Sequence, residues 1–308
     1  MIRKFTLTLS AALILTAASS CGRTVQRDGY NGGISGAAPA TELATQPPSR
    51  ETATEPATEA PTEKVRERIE VETKKPADYI LSDTAEISGF ETVLQRPELP
   101  TGCEITALTQ TLNYYGFDVD KVFMCDTFMP VDINGYYSMN EAYLGDPRAE
   151  NGFGCNAPVI EKAANDYFAY IGSDWYALDL TGITMDDILY QVEQGRPVIV
   201  WSTMDQRETH ATFQFILGCG EEFWFNGYQH CLTVYGYDRN RGVIMAADPL
   251  VGNVEYEEER FGRIYEEMGS QAVILCGYGD TAGVNTATES EMKQWLEINK
   301  PKELENLW

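Results

Sequence analysis

An α+β fold is the class this sequence predicts, on three observations: an apolar repeat of helical period that starts at a cysteine, a second helical repeat running into an apolar strand, and two strand-like runs joined by a tight turn. Helical and strand patterns interleave over residues 79–280 with no fixed-period repeat, so one α+β domain of about 200 residues is the economical reading. The first helix is read from Ile105, Leu108, Leu112 and Tyr115, with Gly116 as its stop. Pro97, Pro100 and Gly102 forbid regular structure before it, so Cys103 opens a buried helix. Residues 185–193 read as another helix, stopped by Gly195 and followed by a buried strand over 197–201. Residues 229–238 and 242–249 read as a hairpin around Arg239-Asn240-Arg241-Gly242. Folding it about Asn240 sets residue 250 opposite His230, which brings Asp248 within a residue or two of the histidine.

The chain has 308 residues, 43% hydrophobic and 11% aromatic, which is enough to bury a core. Its net charge of -24 repels phosphate backbones and argues against a nucleic-acid partner. Residues 1–20 follow the order of an export signal, with Arg3 and Lys4, a short apolar run and small residues before Cys21. That ending resembles a bacterial lipobox, which implies lipidation of Cys21, although Ala18 stands where the pattern prefers Leu. The expectation is an exported protein held by lipid at the outer face of the cell membrane. Residues 21–78 have no aromatic after Tyr30 and are dominated by Thr, Glu, Pro and Ala, so they read as a disordered tether. Residues 22–78 carry 8 basic and 10 acidic side chains against 13 and 37 in residues 79–308, so the acidity belongs to the folded part. Residues 281–308 read as a C-terminal tail.

Cys103 sits where unsatisfied N–H groups and the positive end of the helix dipole stabilise a thiolate and receive an oxyanion. Taken alone, it is equally a small buried hydrophobe or half of a disulfide. A thiol nucleophile needs a base, and the chain has two histidines, His210 and His230. His210 lies in a polar stretch with no acid in a predicted neighbouring strand. His230 has Asp248, which can hold the imidazole tautomer and stabilise its cation. Gln95, on the extended lead-in, offers a side-chain amide as a second oxyanion donor.

Gln95, the run Pro97-Glu98-Leu99-Pro100-Thr101-Gly102-Cys103-Glu104 and the helix ending Tyr114-Tyr115-Gly116 are followed far downstream by His230-Cys231-Leu232-Thr233-Val234-Tyr235-Gly236-Tyr237-Asp238 and Ala247-Asp248-Pro249. Over residues 79–280 this resembles the C39-like branch of the papain-like cysteine peptidases. The resemblance implies a nucleophile helix packed on an antiparallel sheet that carries the base. It implies Cys103 as nucleophile, His230 as base, Asp248 as orienting acid and Gln95 as oxyanion donor. An aromatic run, Phe223-Trp224-Phe225-Asn226-Gly227-Tyr228, precedes the histidine, and the residues between His210 and Gly220 read as an insertion whose place the sequence leaves open.

Trp201 and Trp224 are candidates for a substrate groove, with core packing as the alternative. Asp132, Asn134 and Gly135 lack the spacing of a calcium loop, and no CxxC, HExxH or Walker sequence supports zinc or nucleotide, so no cofactor or metal is expected. Of seven cysteines, Cys21 and Cys103 are spoken for and five remain, which allows at most two disulfides. Cys231 should point to the strand face opposite His230. The function expected is a surface-anchored cysteine peptidase forming a thioester acyl-enzyme on a peptide or protein substrate, with acidity favouring a cationic one. A catalytically silent binding or adhesion module, or a transpeptidase or wall-peptide amidase using the same residues, is the alternative.

Overall fold

In the computed structural model the described residues are 71–277. The export signal, Cys21, the tether up to residue 70 and the expected tail 281–308 lie outside them.

The chain enters with a short strand, β1 (Thr84–Glu86), and then two helices, α1 (Cys103–Tyr114) and α2 (Lys121–Phe128). Two-residue strands β2 (Val131–Asp132) and β3 (Tyr143–Leu144) precede α3 (Ala157–Tyr170), β4 (Tyr176–Asp179), α4 (Met185–Glu193) and β5 (Val198–Thr203). A hairpin of β6 (Ala211–Ile216) and β7 (Glu222–Asn226) leads to β8 (Gln229–Asp238), β9 (Val243–Asp248) and β10 (Gly252–Glu257), and α5 (Glu258–Glu267) and β11 (Ala272–Cys276) finish the described chain. The main sheet is antiparallel throughout and runs β10-β9-β8-β5-β11-β4, with β1 also on β8. The expected α+β class, with the helix headed by Cys103 against an antiparallel sheet, is the architecture observed.

Alternation along the central strands fills two apolar layers. Cys231 and Trp201 join Ile105, Leu108 and Phe168 on the side of α1 and α3, whereas Leu232, Val234 and Val200 join Ile188 and Phe261 on the side of α4 and α5. Helix α4 is held at its start by a capping box in which the Thr184 N–H donates to Asp187 Oδ2 at 2.9 Å and the Asp187 N–H donates to Thr184 Oγ1 at 3.2 Å. The tether expectation is shortened here. The Lys75 N–H donates to Asp187 Oδ1 at 2.8 Å and Gln191 Nε2 to the Glu72 carbonyl at 2.9 Å, so residues 72–75 lie on α4.

Helix α1 is more deeply enclosed than an amphipathic pattern implies, since every residue from 103 to 112 is buried. Its polar side chains are satisfied locally, with the hydroxyls of Thr106, Thr109 and Thr111 each donating to the carbonyl four residues earlier. Gln110 reaches further. Its Nε2 donates to Thr233 Oγ1 and to the Ala247 carbonyl, both at 2.9 Å, and its Oε1 accepts the Val93 N–H at 3.2 Å. One buried amide therefore ties α1 to β8, β9 and the lead-in, which fixes the helix start relative to the strand that bears His230. At the other end Gly116 adopts φ +86 and lets the Phe117 N–H donate to the Leu112 carbonyl at 3.2 Å.

Candidate active site

Cys103 is the first residue of α1, His230 the second of β8 and Asp248 the last of β9. The β8–β9 pairing places Thr233 opposite Ala247, and Asp238 opposite Val243 nearer the turn, with an irregularity between Val234 and Gly236. Thr233 opposite Ala247 is the register obtained by folding the hairpin about Asn240. The irregularity absorbs the one-residue difference at the turn.

His230 Nε2 lies 2.7 Å from Asp248 Oδ1, with both side chains buried. Asp248 also accepts the Leu250 N–H at 2.7 Å and the Tyr256 hydroxyl at 2.6 Å. Burial opposes its charge, but His230, Tyr256 and Leu250 outweigh burial and hold the carboxyl below the usual carboxylate range. An ionised Asp248 only accepts, so the proton sits on Nε2 and Nδ1 is left as the basic nitrogen.

Cys103 and His230 line one cavity together with Gln95 and Gln229, and Phe153, Met204, Phe225 and Tyr228 form its other wall. All six cysteines among the described residues, Cys103 included, are free thiols. The expectation that the helix start lowers the Cys103 pKa is corrected by its surroundings. Burial first, and then the neighbouring Glu104 carboxyl, push the thiol well above its ordinary range, against the pull of the Cys231 backbone N–H. Cys103 Sγ donates to Glu104 Oε2 at 3.3 Å. Cys231 is wholly buried in the apolar layer on the α1 side, and burial raises its thiol pKa as well.

Gln95 is buried and at the cavity, but its Nε2 donates to the Pro100 carbonyl at 2.5 Å, so this amide nitrogen is engaged rather than presented to the cavity. Trp201 is no groove residue. It is 0% exposed on central strand β5, and its Nε1 donates to the Cys155 carbonyl at 2.8 Å, as a core indole requires. Trp224 is 53% exposed on β7, packs edge-on against Phe213 and is not among the cavity's lining residues.

The segment that reads as an insertion, between His210 and Gly220, is β6 and the turn that pairs it with β7, the strand of the aromatic run. The hairpin's inner face, Leu217 and Phe223, packs on Leu144, and its tip is pinned by the Gly218 N–H to Gly135 O and the Cys219 N–H to Tyr136 O at 2.8 and 3.1 Å. The 132–137 loop beneath is organised by Asp132, whose carboxylate accepts the N–H groups of Asn134, Gly135, Tyr136 and Tyr137. Four donors occupy the oxygens a cation would need. His210 lies outside the cavity, with its ring against Gly227 and edge-on to Tyr228. Tyr228 holds φ +65, with the Arg207 guanidinium 4.8 Å over its ring.

In the sequence Glu104 stands out only as the neighbour of Cys103. An acid at the second position of a buried helix is the signal that would have singled out Glu104.

Residues 87–273 match the model of the peptidase C39 like family. The uncharacterised protein YvpB of Bacillus subtilis (strain 168) is 28% identical over 211 residues, covering 65% of this chain and 76% of that protein. A solved Bacillus anthracis protein assigned as a C39-like peptidase is 26% identical, covers 65% of this chain and all 100% of its own, and superposes with a TM-score of 0.57. The cysteine protease xylellain of Xylella fastidiosa matches over 65% of this chain and 88% of its own at 12% identity, with a TM-score of 0.37 too low to carry an argument. With more than half of its length matched by the family model and the sulfur, imidazole and carboxylate on the elements just described, the chain belongs to the peptidase C39-like family.

Proposed function

We propose that the cavity is the active site of a cysteine peptidase. The observation that carries this reading is the sharing of one cavity by a free thiol at a helix start and an imidazole whose Nε2 is already bonded to an ionised carboxylate. In the proposed reaction His230 Nδ1 takes the Cys103 proton and Sγ attacks the peptide carbonyl carbon. The Cys103 N–H, which as the first of the helix has no intrahelical acceptor, donates to the oxyanion. Gln95 adds a second donor once its amide turns away from Pro100. Collapse of the tetrahedral adduct breaks the C–N bond, and the imidazolium returns the proton to the leaving amine. His230 then deprotonates a water that attacks the thioester, and Cys103 regains its proton.

The test is incubation of the full chain with a peptide library near pH 6 beside its Cys103→Ala variant. Cleavage by the first and none by the second supports a peptidase, and no cleavage by either contradicts it. We further propose that lipid on Cys21 holds the enzyme at the outer membrane face. Incorporation of a labelled fatty acid that persists in Cys21→Ala contradicts that anchor. The net charge of -24 favours cationic peptides by steering, so added salt should lower kcat/KM on them, and a salt-independent rate excludes steering.

A further inference from the structure

Glu104 is a buried ionisable group that the chemistry of Cys103, His230 and Asp248 does not use. It is 1% exposed. Its Oε2 accepts the Cys103 thiol at 3.3 Å, and its Oε1 accepts the Cys155 N–H at 3.1 Å. A Cβ on Gly154 would lie 2.4 Å from Oε1 and 3.1 Å from Gln229 Nε2, so the 154–155 backbone is shaped around the carboxyl, with Gly154 at φ +121.

The groups that face this carboxyl are the thiols of Cys103, Cys155 and Cys231, the phenol of Tyr143 and the imidazole of His230, with Asp248 acting on the same sulfur. None of the ion pairs described among lysines and arginines involves it. Burying an acid without such a partner is costly for its charged form. Burial is accordingly the leading reason that the Glu104 carboxyl rises above its usual range.

We propose that Glu104 is a catalytic residue with two settings: as a carboxylate it keeps the proton on Cys103 sulfur and the nucleophile dormant, and as the neutral acid it donates its O–H to the thiolate and stabilises it. This rests on Cys103 being the nucleophile. In the dormant setting Sγ–H donates to Oε2, and ionising the thiol would place two negative charges one hydrogen bond apart. Activation begins when Glu104 takes one proton from solvent. The Sγ proton then passes to His230 Nδ1, and the Glu104 O–H turns to the sulfur, so the site has gained one proton in all. An ordinary cysteine becomes more reactive as pH rises, because the thiolate is the nucleophile. Cys103 should do the opposite across the titration of Glu104.

The test is the rate of Cys103 alkylation by iodoacetamide in the full chain between about pH 5 and 8.5, followed by peptide mapping, with exposed Cys219 in the same digest as a check on reagent and pH. The wild-type Cys103 rate is expected to be highest at the acid end and to fall by at least about tenfold towards pH 8. Glu104→Gln keeps an oxygen for the Cys155 N–H and a permanent donor for sulfur, so it should stay fast throughout, about tenfold or more above wild type at pH 8. A wild-type rate that is flat or rises with pH overturns the proposal, as does a folded Glu104→Gln protein that tracks wild type. The wild-type profile decides the matter alone should the variant not fold. Peptide cleavage is a separate readout: an acid-side alkylation maximum without cleavage removes the peptidase reading and leaves the coupling, and cleavage with an ordinary rising profile does the reverse.

Discussion

The two walls of the cavity are built differently. The wall bearing Cys103 and His230 grows out of the central sheet and its covering helix, where Gln110 joins α1 to β8 and β9 and Asp248 is fully committed to His230, Leu250 and Tyr256. The facing wall is carried by β6–β7 and the turns around it. There Asp205, Gln206 and Tyr228 all take left-handed φ values, Gln206 Oε1 is buried without a partner, and Phe213, Ile216 and Trp224 are exposed. The difference separates two tasks. Groups that must hold a proton-transfer geometry are locked into the core, and groups that shape the mouth sit on a small appendage packed on its own cluster. Changes in the first wall should strike kcat and global stability, and changes in the second should strike KM and local order.

The largest effect expected is on the sheet side. Asp248→Asn should lower kcat by about 10²- to 10⁴-fold with little change in KM, because the imidazole loses the acceptor that fixes its tautomer. A loss in KM alone would break the division. The same carboxylate links stability to acid. Its folded pKa lies below the unfolded one, so its contribution is present above the ordinary carboxylate pKa of about 3.9 and is lost as pH falls through the lower, folded value. Thermal melts from neutral to acidic pH should show less acid destabilisation in Asp248→Asn than in wild type.

The two tryptophans sharpen the contrast in stability. Trp201→Ala should cost about 3–5 kcal/mol on denaturant unfolding, and Trp224→Ala less than about 0.5 kcal/mol. Between them lies Asp132→Ala, which frees four backbone N–H groups under the hairpin tip. It should cost about 1–3 kcal/mol and raise KM by roughly 3- to 10-fold with kcat nearly unchanged. Were kcat to fall as far as in Asp248→Asn, the hairpin would be part of the chemical wall.

The parts read correctly from sequence are those whose partners are local. Helix α1 shows its period and its glycine stop, and the β8–β9 hairpin shows its turn, so the nearness of His230 and Asp248 followed from counting along the chain. Trp201 was left open between groove and core because its burial depends on β5 lying between β8 and β11, and β11 comes some seventy residues later. In β6–β7, aromatics occupy both faces, with Phe223 and Phe225 inward and Trp224 outward, so alternation does not mark the buried side. The expectation of an acidic Cys103 failed for a related reason. A helix start is a local feature, whereas burial and the carboxyl beside the sulfur depend on the Gly154–Cys155 backbone folding back over α1.

The proposed chemistry depends most directly on the imidazole that serves the sulfur. The decisive measurement is the rate of Cys103 alkylation by iodoacetamide near pH 6 in the wild-type chain and in His230→Ala. Fast, stoichiometric labelling that slows by about 100-fold or more in the variant is the expected result. Equally slow labelling of both would contradict it, leaving a cysteine buried in a C39-like fold that His230 does not activate.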